Sequence, residues 1–134
     1  MQVLVINGPN LNLLGKRNIK QYGSKNLLEL EDLILSKHRD TIFLQSNYEG
    51  EIIEAIQKTT CPIVINPGAY GHYSYAIRDA IEAIDYPVVE VHITDINNRE
   101  EFRKKLVLSE VCKSTIIGRG FDGYIDAIKI LEEE

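Results

Sequence analysis

Gln2-Val3-Leu4-Val5-Ile6-Asn7 opens the chain as an apolar run that ends in Gly8-Pro9-Asn10-Leu11-Asn12, and Thr41-Ile42-Phe43-Leu44-Gln45-Ser46 repeats the pattern. Runs this continuously apolar suit strands covered on both faces better than a sheet with one wet face. Between them, Leu27 to Lys37 has helical periodicity, so the connection reads as a helical crossover and the two strands pair in parallel. Working outward, further strands are predicted at Pro62 to Asn66, Pro87 to His92 and Ser114 to Ile117. Helices are predicted at Glu51 to Lys58, Ser74 to Ile84, Arg99 to Leu106 and Tyr124 to Leu131.

Strand and helix thus alternate five times, which implies an α/β fold: a flavodoxin-like three-layer sandwich around a five-stranded parallel sheet. The 134 residues are enough for one continuous core, and a single domain over 1–134 is expected. The 20 acidic residues outnumber the 15 basic ones, giving a net charge of −5 that argues against nucleic acid or an anionic membrane as partner. Cys61 and Cys112 lack metal-ligand spacing and make a poor disulfide framework. The chain starts directly on a core strand, carries no basic leader and has no apolar run approaching the ~20 residues of a membrane span; a soluble cytoplasmic protein is expected.

In doubly wound sheets ligands bind outside the carboxyl ends of the strands. Those ends are Asn7-Gly8-Pro9-Asn10, Gln45-Ser46-Asn47, Asn66-Pro67-Gly68, His92 and Gly118. Singly, such residues turn a chain; together they suggest a ligand-binding rim. Glu90 and His92 are two apart on one strand and share a face, as a carboxylate-oriented imidazole would, although a lone strand histidine also serves structure. His72 follows the Asn66 turn and could bind a ligand or cap the next helix, whereas His38 sits in a helix tail and suggests no chemistry.

The long connection from Gly8 to Lys25 carries Lys16, Arg17 and Tyr22. A phenol, with an ordinary pKa of roughly 10, serves as a base only where a cation stabilises its phenolate, and Arg17 could be that cation. Arg99 and Arg103 fall four apart on the predicted fourth helix; spacing alone favours a solvated face paired with Glu100 and Glu101. Gly118-Arg119-Gly120-Phe121-Asp122-Gly123 matches a dinucleotide fingerprint, yet no second strand with its acidic residue follows. A tight turn at the pocket edge is the expectation there.

Five ordered blocks now carry a resemblance. They are Asn7 to Gly15 with Arg17 and Tyr22-Gly23; Gln45-Ser46-Asn47 with Glu49-Gly50; Asn66-Pro67-Gly68-Ala69 with His72, Ser74 and Asp79-Ala80; Glu90-Val91-His92 with Arg99-Glu100 and Phe102-Arg103; and Gly118 with Gly120 and Gly123-Tyr124. Over about residues 1 to 127 the chain resembles the type II 3-dehydroquinate dehydratases. The resemblance implies loss of water from 3-dehydroquinate to give 3-dehydroshikimate, by anti elimination through an enolate, in the shikimate or quinate pathway and without metal or cofactor. It makes Tyr22 the base, Arg17 its stabilising cation, Asn10 the holder of a water on the enolate, and His92, oriented by Glu90, the acid. It places Asn66, His72 and Arg103, with the main chain at Ile93 and Thr94, on the substrate, and it adds Asp79 from a neighbouring subunit and Arg99 in support. It turns the arginine pair from a solvated face into site residues, makes residues 15 to 25 a lid, and implies a dodecamer built from trimers.

Three positions depart from the family pattern: Asn18-Ile19 where a proline often follows the arginine, Gly71 where threonine usually precedes the histidine, and Asp95 where asparagine is common. Gly71 is expected to loosen the aim of His72, and Asp95 to add charge near the carboxylate site if its side chain faces inward. A phosphoacceptor receiver would need acids where Asn7 and Asn66 stand, and a flavodoxin a hydroxyl-rich loop where Gly8-Pro9-Asn10-Leu11 stands. The remaining alternative is a catalytically idle relative that binds or assembles; the complete set of acid, base and anion-binding residues argues against it.

Overall fold

The computed structural model describes residues 1–17 and 19–133. Five strands, β1 (Val3–Asn7), β2 (Thr41–Gln45), β3 (Ile63–Asn66), β4 (Val88–His92) and β5 (Ser114–Ile117), form an all-parallel sheet in the order β2-β1-β3-β4-β5. Helices α2 (Leu27–Lys37), α3 (Glu49–Lys58) and α4 (Tyr75–Ala83) cross between strands, α5 (Asp122–Glu132) follows β5, and a four-residue helix α1 (Ile19–Tyr22) lies within the first connection. The expected α/β sandwich is the observed one, with strand ends shifted by a residue at most.

The pleat divides the strands between two cores. Val3, Val5, Val64, Val89 and Val91 face α2 and α5, where Leu30, Ile34, Ala127, Ile128 and Leu131 cover them. Leu4, Ile6, Ile63, Ile65 and Val88 face the other way, under Ile52 and Ile56 of α3 and Ile77 and Ile81 of α4. The three inner strands are buried along their whole length, whereas the edge strands β2 and β5 are mostly half-buried. Chain direction is set at helix starts. Asn26 and Glu29 form a reciprocal capping box on α2, and the Ser74 hydroxyl accepts the Ile77 N–H to start α4.

The predicted helix from Arg99 to Leu106 does not form. Residues Ile96–Asn98 and Glu101–Lys104 make two short 3-10 turns, and Arg99 between them is extended. The segment has no apolar stripe for a helix to bury: Phe102 is exposed, and the chain is drawn across the sheet end by the Val107 N–H bond to the Gly71 carbonyl. The first connection is anchored in the core at its start. Leu11, in the 3-10 turn Leu11–Leu13, and Leu14 are buried in the α2/α5 core and pin its first half. Beyond them, Gly15 and Gly23 hold left-handed backbone angles of φ 88° and 80° on either side of the segment carrying Arg17 and Tyr22. Among the described residues no helix is long and apolar enough to cross a membrane.

The strand order reverses between β1 and β3, and there the two carboxyl ends close on each other. The Gly8 N–H bonds the Asn66 carbonyl at 2.8 Å, and a Cβ at Gly8 would lie 2.4 Å from the Pro67 carbonyl oxygen. Gly8→Ala must therefore push two backbones apart. It is expected to cost about 1–3 kcal/mol in urea unfolding; a variant within about 0.5 kcal/mol of wild type would show that this contact relaxes freely.

Candidate active site

At that strand reversal a polar pocket opens, lined by residues from the ends of β1, β3 and β4 and by the first connection. On its β4 side, His92 Nε2 lies 2.6 Å from Glu90 Oε2, with Glu90 0 % and His92 6 % exposed. With Glu90 ionised, its carboxylate only accepts, so Nε2 would carry the hydrogen and leave Nδ1 for proton transfer. The other oxygen, Glu90 Oε1, accepts the hydroxyls of Ser109 at 2.8 Å and Thr115 at 3.2 Å.

Tyr22 stands on the side of the first connection. Its hydroxyl oxygen accepts from Arg99 Nη1 at 2.8 Å and from Arg17 Nη2 at 3.2 Å. Both guanidinium groups also lie over the ring, at 4.4 Å for Arg17 and 5.3 Å for Arg99. Two cationic donors on one phenol oxygen are placed to share the charge of a phenolate. Arg99 also donates to the Thr94 hydroxyl at 3.2 Å, while its buried Nε has no hydrogen-bond partner.

The floor is made by amides. Asn66 Nδ2 donates to the Tyr124 hydroxyl at 2.9 Å and its Oδ1 accepts the Gly68 N–H at 3.2 Å; Tyr124 in turn donates to Asn7 Oδ1 at 2.6 Å. Full burial pushes the Tyr124 phenol upward, so it stays a neutral relay. Asn10 adopts a left-handed backbone, φ 68°, held by its N–H bond to Asn47 Oδ1, which brings it to the pocket wall. His72 Nδ1 donates to the Lys105 carbonyl at 2.9 Å, and its ring stacks 6.2 Å from that of His92. Arg103, on the same wall, bonds Glu100 at 2.8 Å and holds that carboxylate below its usual range.

The family model described as Dehydroquinase class II matches residues 1–132. The chain belongs to that family. It is 51 % identical to the 3-dehydroquinate dehydratase of Caldicellulosiruptor saccharolyticus, covering 98 % of this chain and 97 % of that one. It is also 51 % identical to the 3-dehydroquinate dehydratase of Bacillus pumilus, over 98 % and 94 %. Among solved structures, the type II dehydroquinase from Butyrivibrio crossotus superposes with a TM-score of 0.94 at 48 % identity, covering 98 % and 97 %.

Of the residues singled out from sequence in this dehydroquinase, Asn10, Arg17, Tyr22, Asn66, His72, His92, Ile93, Thr94, Arg99 and Arg103 line the one pocket, and Glu90 stands behind His92. Asp79 does not: it is exposed on α4 and lies outside this pocket. Gly71 backs onto His92 rather than His72. A Cβ there would meet Pro67 Cγ at 2.8 Å and His92 Cε1 at 3.3 Å, while His72 is held by the Lys105 carbonyl. The Asp95 side chain turns back to accept from Asn97 and Asn98, away from the pocket. Of the Asn18-Ile19 departure, Asn18 lies outside the described residues and Ile19 begins α1. His38 caps α2 and bonds the Met1 carbonyl; Gly118 and Gly120 make a tight turn against Asp95, beside the pocket. Both cysteines are free thiols.

Sequence reading did not find Ser109, Thr115 or the Asn7–Tyr124 relay. Asn7 and Tyr124 left a trace only as members of motif blocks, without a role.

Desolvation lowers the pKa of the His72 imidazole, and the nearby His92 and Arg103 push the same way against the Lys105 carbonyl and Glu90. The folded ring therefore resists protonation more than the unfolded one. Its contribution to stability is full above pH 6.5, the ordinary imidazole value, and declines as the pH falls below it. In a 1H–15N titration the His72 midpoint is expected below 6.5; a midpoint at or above that value would contradict this reading of its surroundings.

Proposed function

We propose that this chain is a dehydratase that eliminates water from 3-dehydroquinate to give 3-dehydroshikimate. The observation that carries the reading is the pairing of a doubly arginine-clamped phenol with a carboxylate-backed imidazole in one pocket. A β-elimination next to a ketone needs a base for the acidic carbon, a sink for the enolate charge and an acid for the departing hydroxyl. Relatives at about half identity over nearly the whole chain carry the name of that activity.

In the proposed sequence, the Tyr22 phenolate takes the proton beside the ketone, with Arg17 and Arg99 sharing the charge. The electron pair moves to the ketone oxygen, where a water held by Asn10 supports the enolate. The enolate then re-forms the ketone as the hydroxyl leaves, and His92 Nδ1 gives that hydroxyl its proton while Glu90 stabilises the imidazolium. Asn66, His72, Arg103 and the main chain at Ile93 and Thr94 hold the substrate's hydroxyls and carboxylate. No step calls for a metal or cofactor. Asp79 is exposed on α4 outside its own pocket, where it is free to serve a neighbouring subunit. We read the assembly as a dodecamer of trimers, the domain as residues 1–134, and the setting as the cytoplasmic shikimate or quinate pathway.

Mixing the protein with 3-dehydroquinate is expected to raise ultraviolet absorbance, because the product is a conjugated carboxylic acid. Tyr22→Phe is expected to lower kcat by about 100-fold or more, with the fold intact by circular dichroism. Folded wild-type protein that leaves the absorbance unchanged would overturn the reading. Sedimentation at about twelve times the 15.2 kDa chain mass would support the assembly, and a monomer would refute it.

A further inference from the structure

Among the described residues, Glu90 is the one buried carboxylate, and burial of a charge is tolerated where hydrogen bonds replace its water. His92 serves one of its oxygens; the hydroxyls of Ser109 and Thr115 converge on the other. They come from different elements. Thr115 is the register partner of Glu90 on β5, so the two side chains leave the same face of the sheet. Ser109 begins the 3-10 turn Ser109–Val111, two residues after the Val107–Gly71 tether. Neither residue lines the pocket, so neither is placed to touch a substrate.

With the imidazole ready to act as an acid, the Glu90–His92 pair holds a proton that has two addresses. On the ring it leaves Glu90 ionised and makes Nδ1–H part of an imidazolium, a competent acid. On the carboxyl group it leaves a neutral ring, whose Nδ1–H is a far weaker acid. A hydroxyl bonds an ionised oxygen roughly twice as strongly as a neutral one, so two hydroxyls on Oε1 favour the first arrangement. We propose that Ser109 and Thr115 are positioning residues that hold Glu90 ionised and thereby keep the shared proton on His92. This deepens the assignment of His92 as the acid and rests on it. The other titratable groups that feel Glu90 do not compete for the proton. Burial, and then Glu90 itself, push the Cys112 thiol up to about 12, and desolvation keeps His72 disposed to neutrality.

The test compares Thr115→Val, Thr115→Ser, Ser109→Ala and the double variant Ser109→Ala/Thr115→Val in the full-length protein. Steady-state kinetics with 3-dehydroquinate and the 15N shifts of the His92 ring are the two readouts. Loss of each hydroxyl is expected to lower kcat roughly tenfold with KM within about twofold, since the lost bonds act on the acid and not on binding. At a pH where the wild-type ring is charged, its shifts are expected to move toward neutral values in the double variant. Thr115→Ser, which keeps the hydroxyl and drops the methyl, is expected to stay near wild type. An unchanged His92 spectrum in the double variant, or Thr115→Ser as impaired as Thr115→Val, would overturn the proposal. If the double variant does not fold, the Val and Ser variants at position 115 decide alone. Wild-type inactivity would instead sink the dehydratase reading, and the His92 spectrum would still test the proton's address.

Discussion

A polar side chain inside a sheet covered on both faces has only the protein to bond, and that constraint organises the pocket end of the molecule. Along β1, β3 and β4 almost everything is Val, Leu or Ile. Polar groups enter only at or near the carboxyl ends, as Asn7, Asn66, Glu90 and His92, and each arrives with a bonded neighbour. Asn7 and Asn66 meet through the Tyr124 hydroxyl; Glu90 is enclosed by an imidazole and two hydroxyls. These bonds tie the floor of the pocket together and leave one amide nitrogen, Asn7 Nδ2, without a partner among the described residues.

The two sides of the pocket are built on unequal foundations. His92 belongs to a central strand and is anchored by the same burial that holds the sheet together. Tyr22 closes a four-residue helix with no fully buried residue, between two left-handed glycines; it packs partly buried against the α2/α5 core, and two arginines grip its oxygen. Arg17 comes from the same connection, whereas Arg99 comes from the chain after β4, so the phenol is stitched to the fixed wall by one of its two cations.

Most of the fold was legible because buried parallel strands and helical crossovers write themselves as apolar runs of different period. The segment from Arg99 to Leu106 misled, since its charges allow helical spacing but supply no apolar face, and a bond from Val107 to Gly71 decides its path instead. Arg99 and Arg103 reach the pocket nonetheless, by a route that spacing could not show. Ser109 and Thr115 were invisible for a related reason. They are 19 and 25 residues from Glu90, and only the neighbouring of β4 and β5 brings Thr115 beside it. Asp79 stays apart from the site in a single chain, where a role from a neighbouring copy leaves no mark.

The absence of any buried residue in α1 separates two quantities that most proteins tie together. Substitutions on Ile19 or Lys20 remove little buried surface, so they leave global stability nearly untouched while altering how the Tyr22 phenol is presented. The strand that carries Glu90 and His92 has no such freedom, because a change at either is a change in the core. Inherited variation can thus accumulate on one short surface helix, while the imidazole-bearing half of the pocket is kept constant by the requirement to fold at all.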